Sequence, residues 1–281
     1  MRRLPGAGPP PELRYRPTLN LVAALRGIWA ARRLVRTLAE RELRARYKRA
    51  ALGFAWAIVT PVALMVAFTL FLNRYARVPT EGIPYPLFAY VGLLPWTFFS
   101  SSLAGGGQSL LANSSLLNKV YCPREVFPLA SVAVAGVDTA TALIALVGLF
   151  VLYGVAPSPL VVWVPLLLAV QVAFTLGLTF IFSAAIIYVR DLRHAMSIIL
   201  QFGLFTTPVA FGIDVVPESW RSLYSAVNPL APVIDGYRRT VLLGQPPQWH
   251  LLAPGALTAT LLLVGGYLVF KRLEGGLADV A

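Results

Sequence analysis

The chain has 281 residues, of which 57% are hydrophobic and only 13% charged, about half the ~25% usual in globular chains. At a mean hydropathy of +0.70 and 30.5 kDa, a single core could not enclose that much apolar surface, which excludes a soluble globular domain; disordered, collagen-like and disulfide-stapled chains fall with it. Lys+Arg outnumber Asp+Glu by 24 to 12, a balance that suits nucleic acid or an anionic membrane surface. Thirteen of the basic residues precede Ala51 and the rest occupy short gaps between apolar runs, which favours the membrane and argues against nucleic acid.

Residues 1–20 are Pro/Arg-rich and are expected to be poorly ordered. Pro5, Pro9, Pro10 and Pro11 interrupt any apolar h-region, so no cleaved signal peptide is expected. Residues 21–49 read as a helix. Ile28, Leu34, Val35, Leu38, Ala39 and Leu43 gather on one side, and Arg32, Arg33, Arg36, Arg41, Arg44 and Lys48 on the other. Arg46 and Glu42 intrude on the apolar side. The pattern predicts an amphipathic helix in the cytoplasmic headgroup layer, with a solvated basic helix as the alternative.

Six spans are predicted to follow, at about 50–72, 87–111, 126–153, 160–189, 195–213 and 251–270, each long enough for about 30 Å of hydrocarbon. Pro61 lies in the first and Pro208 interrupts the fifth. The second carries Ser100, Ser101, Ser102, Gly105, Gly106, Gly107 and Gln108, so it should be buried in protein or face a cavity. Asp138 stands alone in the third span, with Thr139 and Thr141 beside it and Gln171 of the fourth placed to bond it. A structural role between helices is favoured over a transport role. With both termini in the cytoplasm, inside segments carry 19 basic residues and outside segments 5, which sets the orientation. The outer region 214–238 mixes Trp220, Leu223, Val227 and Leu230 with Pro217, Pro229 and Pro232. Short, proline-broken helices dipping into the outer leaflet fit this better than an exposed loop.

No P-loop, H-E-x-x-H or G-x-S-x-G occurs. Cys122 reads as a reduced cytoplasmic thiol, and His194 and His250 have no ligand cluster around them. No active site and no metal site is expected. A chain of this kind is passive or driven by another subunit.

Several stretches carry a family resemblance. They include Arg46-Tyr47-Lys48 with Leu52-Gly53, Trp56 and Pro61, then Tyr85-Pro86-Leu87-Phe88 with Gly92-Leu93-Leu94-Pro95-Trp96. Leu117-Asn118-Lys119-Val120-Tyr121-Cys122-Pro123-Arg124-Glu125 is the most recognisable. Tyr188-Val189-Arg190-Asp191-Leu192-Arg193-His194, Val216-Pro217-Glu218 with Trp220, and Asn228-Pro229-Leu230 with Gly236-Tyr237-Arg238 follow in order. From about residue 40 onward the chain resembles ABC-2 type permeases of polysaccharide exporters. Cys122 and Asn118 depart mildly from the pattern.

The resemblance implies an all-α, polytopic membrane protein of the cytoplasmic membrane that works as a homodimer. Its partners would be two copies of an ABC ATPase, which bring ATP and Mg; no cofactor is expected in this chain. The substrate would be a lipid-linked polysaccharide of the O-antigen, teichoic acid, capsule or galactan type. A drug or lipid efflux permease is the alternative. The loop 113–125 would be a coupling element on the ATPase, with Asn118, Lys119, Tyr121, Arg124 and Glu125 in contact. The aromatics Trp56, Phe68, Phe71, Tyr75, Tyr90, Trp96, Phe98, Phe99, Phe202, Phe205 and Phe211 are candidates for the substrate path, because sugar rings stack on aromatic faces; for each, packing or the interfacial belt is the competing reading. Pro217, Trp220, Asn228, Pro229, Tyr237 and Arg238 would form an outer gate, with Arg238 and Arg239 available to a pyrophosphate or lipid headgroup.

Overall fold

The computed structural model describes residues 26–27, 29–48, 50–73, 78–117 and 122–274. The described chain is helical throughout, with no strand among the described residues. Helix α1 (Arg32–Tyr47) has a basic outer surface and buries only Ala39 fully. A 3-10 turn, Gly53–Ala55, leads into α2 (Trp56–Phe68), which a π turn prolongs through Thr69–Asn73. Next come α3 (Tyr85–Ala112), the single turn α4 (Ser114–Leu117), α5 (Val126–Tyr153) and α6 (Val164–Tyr188). The rest is α7 (Leu192–Thr206), α8 (Glu218–Val227), α9 (Leu230–Arg238) and α10 (Trp249–Glu274).

Five helical stretches are long and apolar enough to cross a membrane: Gly53–Leu72, Tyr85–Ala112, Val126–Tyr153, Pro159–Tyr188 and Trp249–Glu274. The predicted fifth span differs. Its helix, α7, has 15 residues, about 22 Å at 1.5 Å per residue, and ends at Thr206, with Thr207, the residue before Pro208, as its cap. Pro208 disfavours helical geometry at Thr207, whose backbone is extended (φ −94°, ψ 143°).

The bundle is built around α3. Of its most apolar 18-residue window 78% is buried, against 11% for α2 and 17% for α5. Helix α3 packs on α2, α5, α6, α7 and α9. Its small residues let these neighbours approach, since a Cβ on Gly106 would lie 2.3 Å from Thr179 Cγ2 and one on Gly107 2.9 Å from Met196 Sδ. Helices α6 and α10 meet backbone to backbone. A Cβ on Gly177 would lie 2.5 Å from the carbonyl carbon of Leu262, and one on Gly266 would strike the Gly177 carbonyl. Close approach of this kind is how helices associate where lipid supplies no hydrophobic drive.

Candidate functional site

The expected path aromatics divide into two groups. On α2, Trp56 is 47% exposed, and Phe71, in the π turn beyond it, is 67% exposed; on α7, Phe202 is 66% and Phe205 64% exposed. Phe68 packs half-buried on the main core. The second-span aromatics are core residues instead. Tyr90 is fully buried and its hydroxyl donates to the Ala142 carbonyl (2.9 Å). Trp96 packs on Phe99 (5.6 Å between centroids), which stacks on Phe174 (5.3 Å). Phe98 packs on Val132 and Ala135. Central placement of α3 leaves large side chains no lipid-facing position. Among the half-exposed positions of α3, Thr97, Ser100, Ser101, Ala104 and Gln108 recur at helical spacing along one face, four of the five polar. Phe211 is half-buried and contributes its backbone carbonyl to Arg238. Tyr75, Asn118, Lys119 and Tyr121 lie outside the described residues, as do residues 1–20.

Asp138 does have a structural partner, but a different one from that expected. Thr139 and Thr141 bond their own helix, at Ala135 and Val137, while Gln171 donates to the Pro95 carbonyl and accepts from the Tyr237 hydroxyl. Asp138 instead receives Arg46 (2.6 Å) and Tyr47 (2.7 Å) from the end of α1. Arg46 also reaches Glu42 (3.5 Å), and Glu42 accepts from Ser131 (3.1 Å). The two charges that interrupt the apolar side of α1 are thus the ones that dock it on α5. Burial, with the hydrogen bond to the Asp138 carboxyl group, pushes the Tyr47 phenol up to about 12, so it stays a donor at neutral pH. Arg46 and Tyr47 escaped the sequence reading as partners of Asp138; their signal was the intrusion itself. A cleft of about 390 Å³ opens beside this pair, walled by Trp56 and Trp96.

Where the loop 113–125 returns to α5, it is fastened to the end of α10. Glu125 is 3% exposed; it is ion-paired with Lys271 and accepts from the Tyr267 hydroxyl (3.2 Å). Lys271 is paired in turn with Glu274 (2.7 Å), and Arg124 donates to the Glu274 carbonyl (2.7 Å). The Tyr188 hydroxyl of α6 caps the neighbouring Leu273 carbonyl (2.8 Å). Glu125 and Arg124, expected to face a partner, therefore tie the loop to the last helix inside this chain. Upstream, Asn113 accepts from Arg41 of α1.

Arg238 is likewise turned inward rather than toward an external anion. It is 2% exposed and donates to the backbone carbonyls of Pro208 (2.7 Å), Phe211 (2.8 Å), Val209 (2.5 Å) and Phe88 (3.2 Å). Its guanidinium stacks 3.7 Å from the Phe88 ring centroid. Proline breaks the helix after α7 and leaves carbonyls without helical donors; Arg238 supplies them. Burial lowers its pKa to about 9, which still leaves it charged at neutral pH. Nearby, Asn228 donates to the Thr207 hydroxyl (2.9 Å) and Tyr224 to the Thr206 carbonyl (2.5 Å). Pro217 precedes α8, on which Trp220 is 61% exposed; Pro229 caps α9 and is buried. The segment 214–238 is thus two short helices braced on the α7 break.

Residues 33–242 match the family model described as ABC-2 type transporter. The chain is 33% identical over 257 residues to the O-antigen export system permease protein RfbA of Myxococcus xanthus, covering 90% of this chain and 98% of that one. It is 30% identical to the protein of the same name from Klebsiella pneumoniae, over 88% and 94% of the two chains. Against the polysialic acid transport protein KpsM of Escherichia coli the identity is 26%, over 75% and 81%. With the match running from α1 to the turn after α9, this chain belongs to the ABC-2 type transporter family.

Proposed function

We propose that this chain is the transmembrane permease subunit of an ABC exporter that moves lipid-linked polysaccharide across the cytoplasmic membrane. The similarity to O-antigen and polysialic acid permeases over most of both chains supports the substrate class. The observation that carries the mechanism is the exposed aromatic surface. Helices α2 and α7 both pack on α3; Trp56, Phe71 of the π turn, Phe202 and Phe205 are exposed, and α3 adds the half-exposed Thr97, Ser100, Ser101 and Gln108. Two copies closing on this face would line a conduit with rings for sugar C–H faces and hydroxyls for sugar hydroxyls. Many weak contacts of this kind let a repeating polymer slide.

In this reading the chain crosses the membrane six times, with α7 and the Thr207–Phe211 break forming the fifth crossing. Both termini lie in the cytoplasm, as the basic-residue asymmetry requires. Two ATPase subunits, carrying ATP and Mg, engage the loop 113–125. Because Glu125 and Arg124 hold that loop to α10, its displacement is passed to the last helix as well as to α3 and α5. Segment 214–238 closes the outer end.

Depletion of the chain in its host, followed by fractionation, tests this. The expected result is lipid-linked glycan accumulating in the cytoplasmic leaflet while surface glycan falls. Unchanged surface glycan, with altered sensitivity to apolar drugs, would replace the reading with drug efflux.

A further inference from the structure

The cleft between α1, α2, α3 and α5 lies inside one copy of the chain and shares Trp56, Thr97, Ser100 and Ser101 with the face assigned to the conduit. Its volume is about 390 Å³, at the small end of the range typical of ligand sites. Two indoles wall it. Trp96 is held rigidly by Phe99 on one side and by the bare backbone of Gly203 on the other, where a Cβ would lie 2.7 Å from the ring. Trp56 is the more accessible of the two.

The rest of the lining is mixed: Ala57, Leu64, Ala135 and Ala142 alternate with hydroxyl-bearing residues. Thr60, Thr97 and Ser100 spend their protons on backbone carbonyls of their own helices, so their oxygens remain acceptors toward the cleft. Ser101 adds a fourth hydroxyl. Pro61, which also lines the cleft, cannot donate to Ala57, and so leaves a helix carbonyl of the wall without its usual donor. The Arg46–Asp138–Tyr47 group, with bonds of 2.6 and 2.7 Å, also lines the cleft.

These features select among ligands. A hydrocarbon chain would offer no donor to the hydroxyl oxygens and would desolvate the Arg46–Asp138 pair. A phosphate or other anion would gain Arg46 but meet the Asp138 carboxylate that already neutralises it. A neutral pyranose fits both constraints. Its C–H face lies on an indole, and its hydroxyls reach the serine and threonine oxygens, the carboxylate and the guanidinium fork. We infer that this cleft is a binding subsite for one neutral hexose unit of the glycan, within the face assigned to the conduit. The inference rests on the glycan-export reading and sharpens it: the subsite prefers uncharged sugars to uronic or sialic acids.

The test uses the permease–ATPase complex in detergent. The probes are a fluorescent neutral oligosaccharide, maltohexaose, and polyglucuronate of the same length. The neutral probe is expected to bind at least tenfold more tightly. Ser101→Leu, which fills the cleft, and Trp56→Ala, which removes the accessible indole, should each weaken the neutral probe at least tenfold. Complex yield and melting temperature report folding, and if either variant fails to assemble the other carries the comparison. Equal affinity for the two probes, or full affinity in the filled variant, overturns the subsite while leaving export intact. A wild-type complex that binds neither probe overturns the subsite; where surface glycan also survives depletion of the chain, the export reading falls with it.

Discussion

Replacing Asp138 with Ala probes the attachment of the N-terminal helix. The carboxylate accepts Arg46 at 2.6 Å and Tyr47 at 2.7 Å, and its side chain is 15% exposed while that of Arg46 is 37% exposed. Breaking a fully buried pair costs ~3–5 kcal/mol, and a hydrogen bond to a charged group contributes ~1.5–3 kcal/mol. Because Arg46 keeps some contact with solvent and with Glu42, the lower part of that range applies, about 2–3 kcal/mol of α1 docking. At 1.4 kcal/mol per tenfold, this shifts the docked-to-undocked ratio by roughly 30- to 150-fold. Asp138→Asn keeps an acceptor for Tyr47 and should cost about half as much. The assay is maleimide cross-linking between cysteines at Leu43 and Val134, which share one apolar cluster, in a Cys122→Ser background, together with protease sensitivity of residues 32–47. An Asp138→Ala complex with undiminished cross-linking and unchanged proteolysis would show that apolar packing alone holds α1, and would refute the electrostatic account.

Arg238→Ala removes the donor to four backbone carbonyls; a loss above about 3 kcal/mol is expected from the orphaned acceptors, read as failure of the chain to accumulate in membranes. Lys271→Met should destabilise by ~3–5 kcal/mol by leaving Glu125 buried without its cation. The charge exchange Glu125→Lys with Lys271→Glu should recover part of that loss, and no recovery would deny the pairing. Gly266→Val would force α10 away from the Gly177 carbonyl; overpacking of ~1–3 kcal/mol is expected, visible as a lower melting temperature. Asp235 has its pKa raised from 3.8 to about 6, first by burial, with Arg239 and Arg238 opposing. A carboxyl that is harder to ionise when folded favours the folded state while protonated, so stability should fall as pH rises from about 4 to about 6. Melting temperatures across that window should show the slope in the wild type and lose it in Asp235→Asn.

The amino-acid sequence by itself determined the solvent, the class and most of the spans. Runs such as Val126–Tyr153 and Val164–Tyr188 are apolar for longer than a bilayer core, and in lipid such a run can satisfy its backbone only as a helix. Ser100–Gln108 correctly marked the second span as the one enclosed by protein, since small polar residues tolerate close neighbours. Hydropathy extended the fifth span through Pro208, whereas the helix ends at Thr206; an apolar count does not register a backbone break. Pairings across long separations were the business of tertiary structure. Asp138 found Arg46, 92 positions away, and Glu125 found Lys271 on α10. A buried charge selects whichever opposite charge the packing brings within reach, and spacing along one helix predicts only neighbours on that helix. The same reason turned Arg238 from an expected anion site into the brace of a broken helix, and placed Tyr90, Phe98 and Phe99 in the core while Phe202 and Phe205 face outward. An aromatic residue is equally suited to core, lipid and conduit, and only the position of its helix within the bundle decides which it meets.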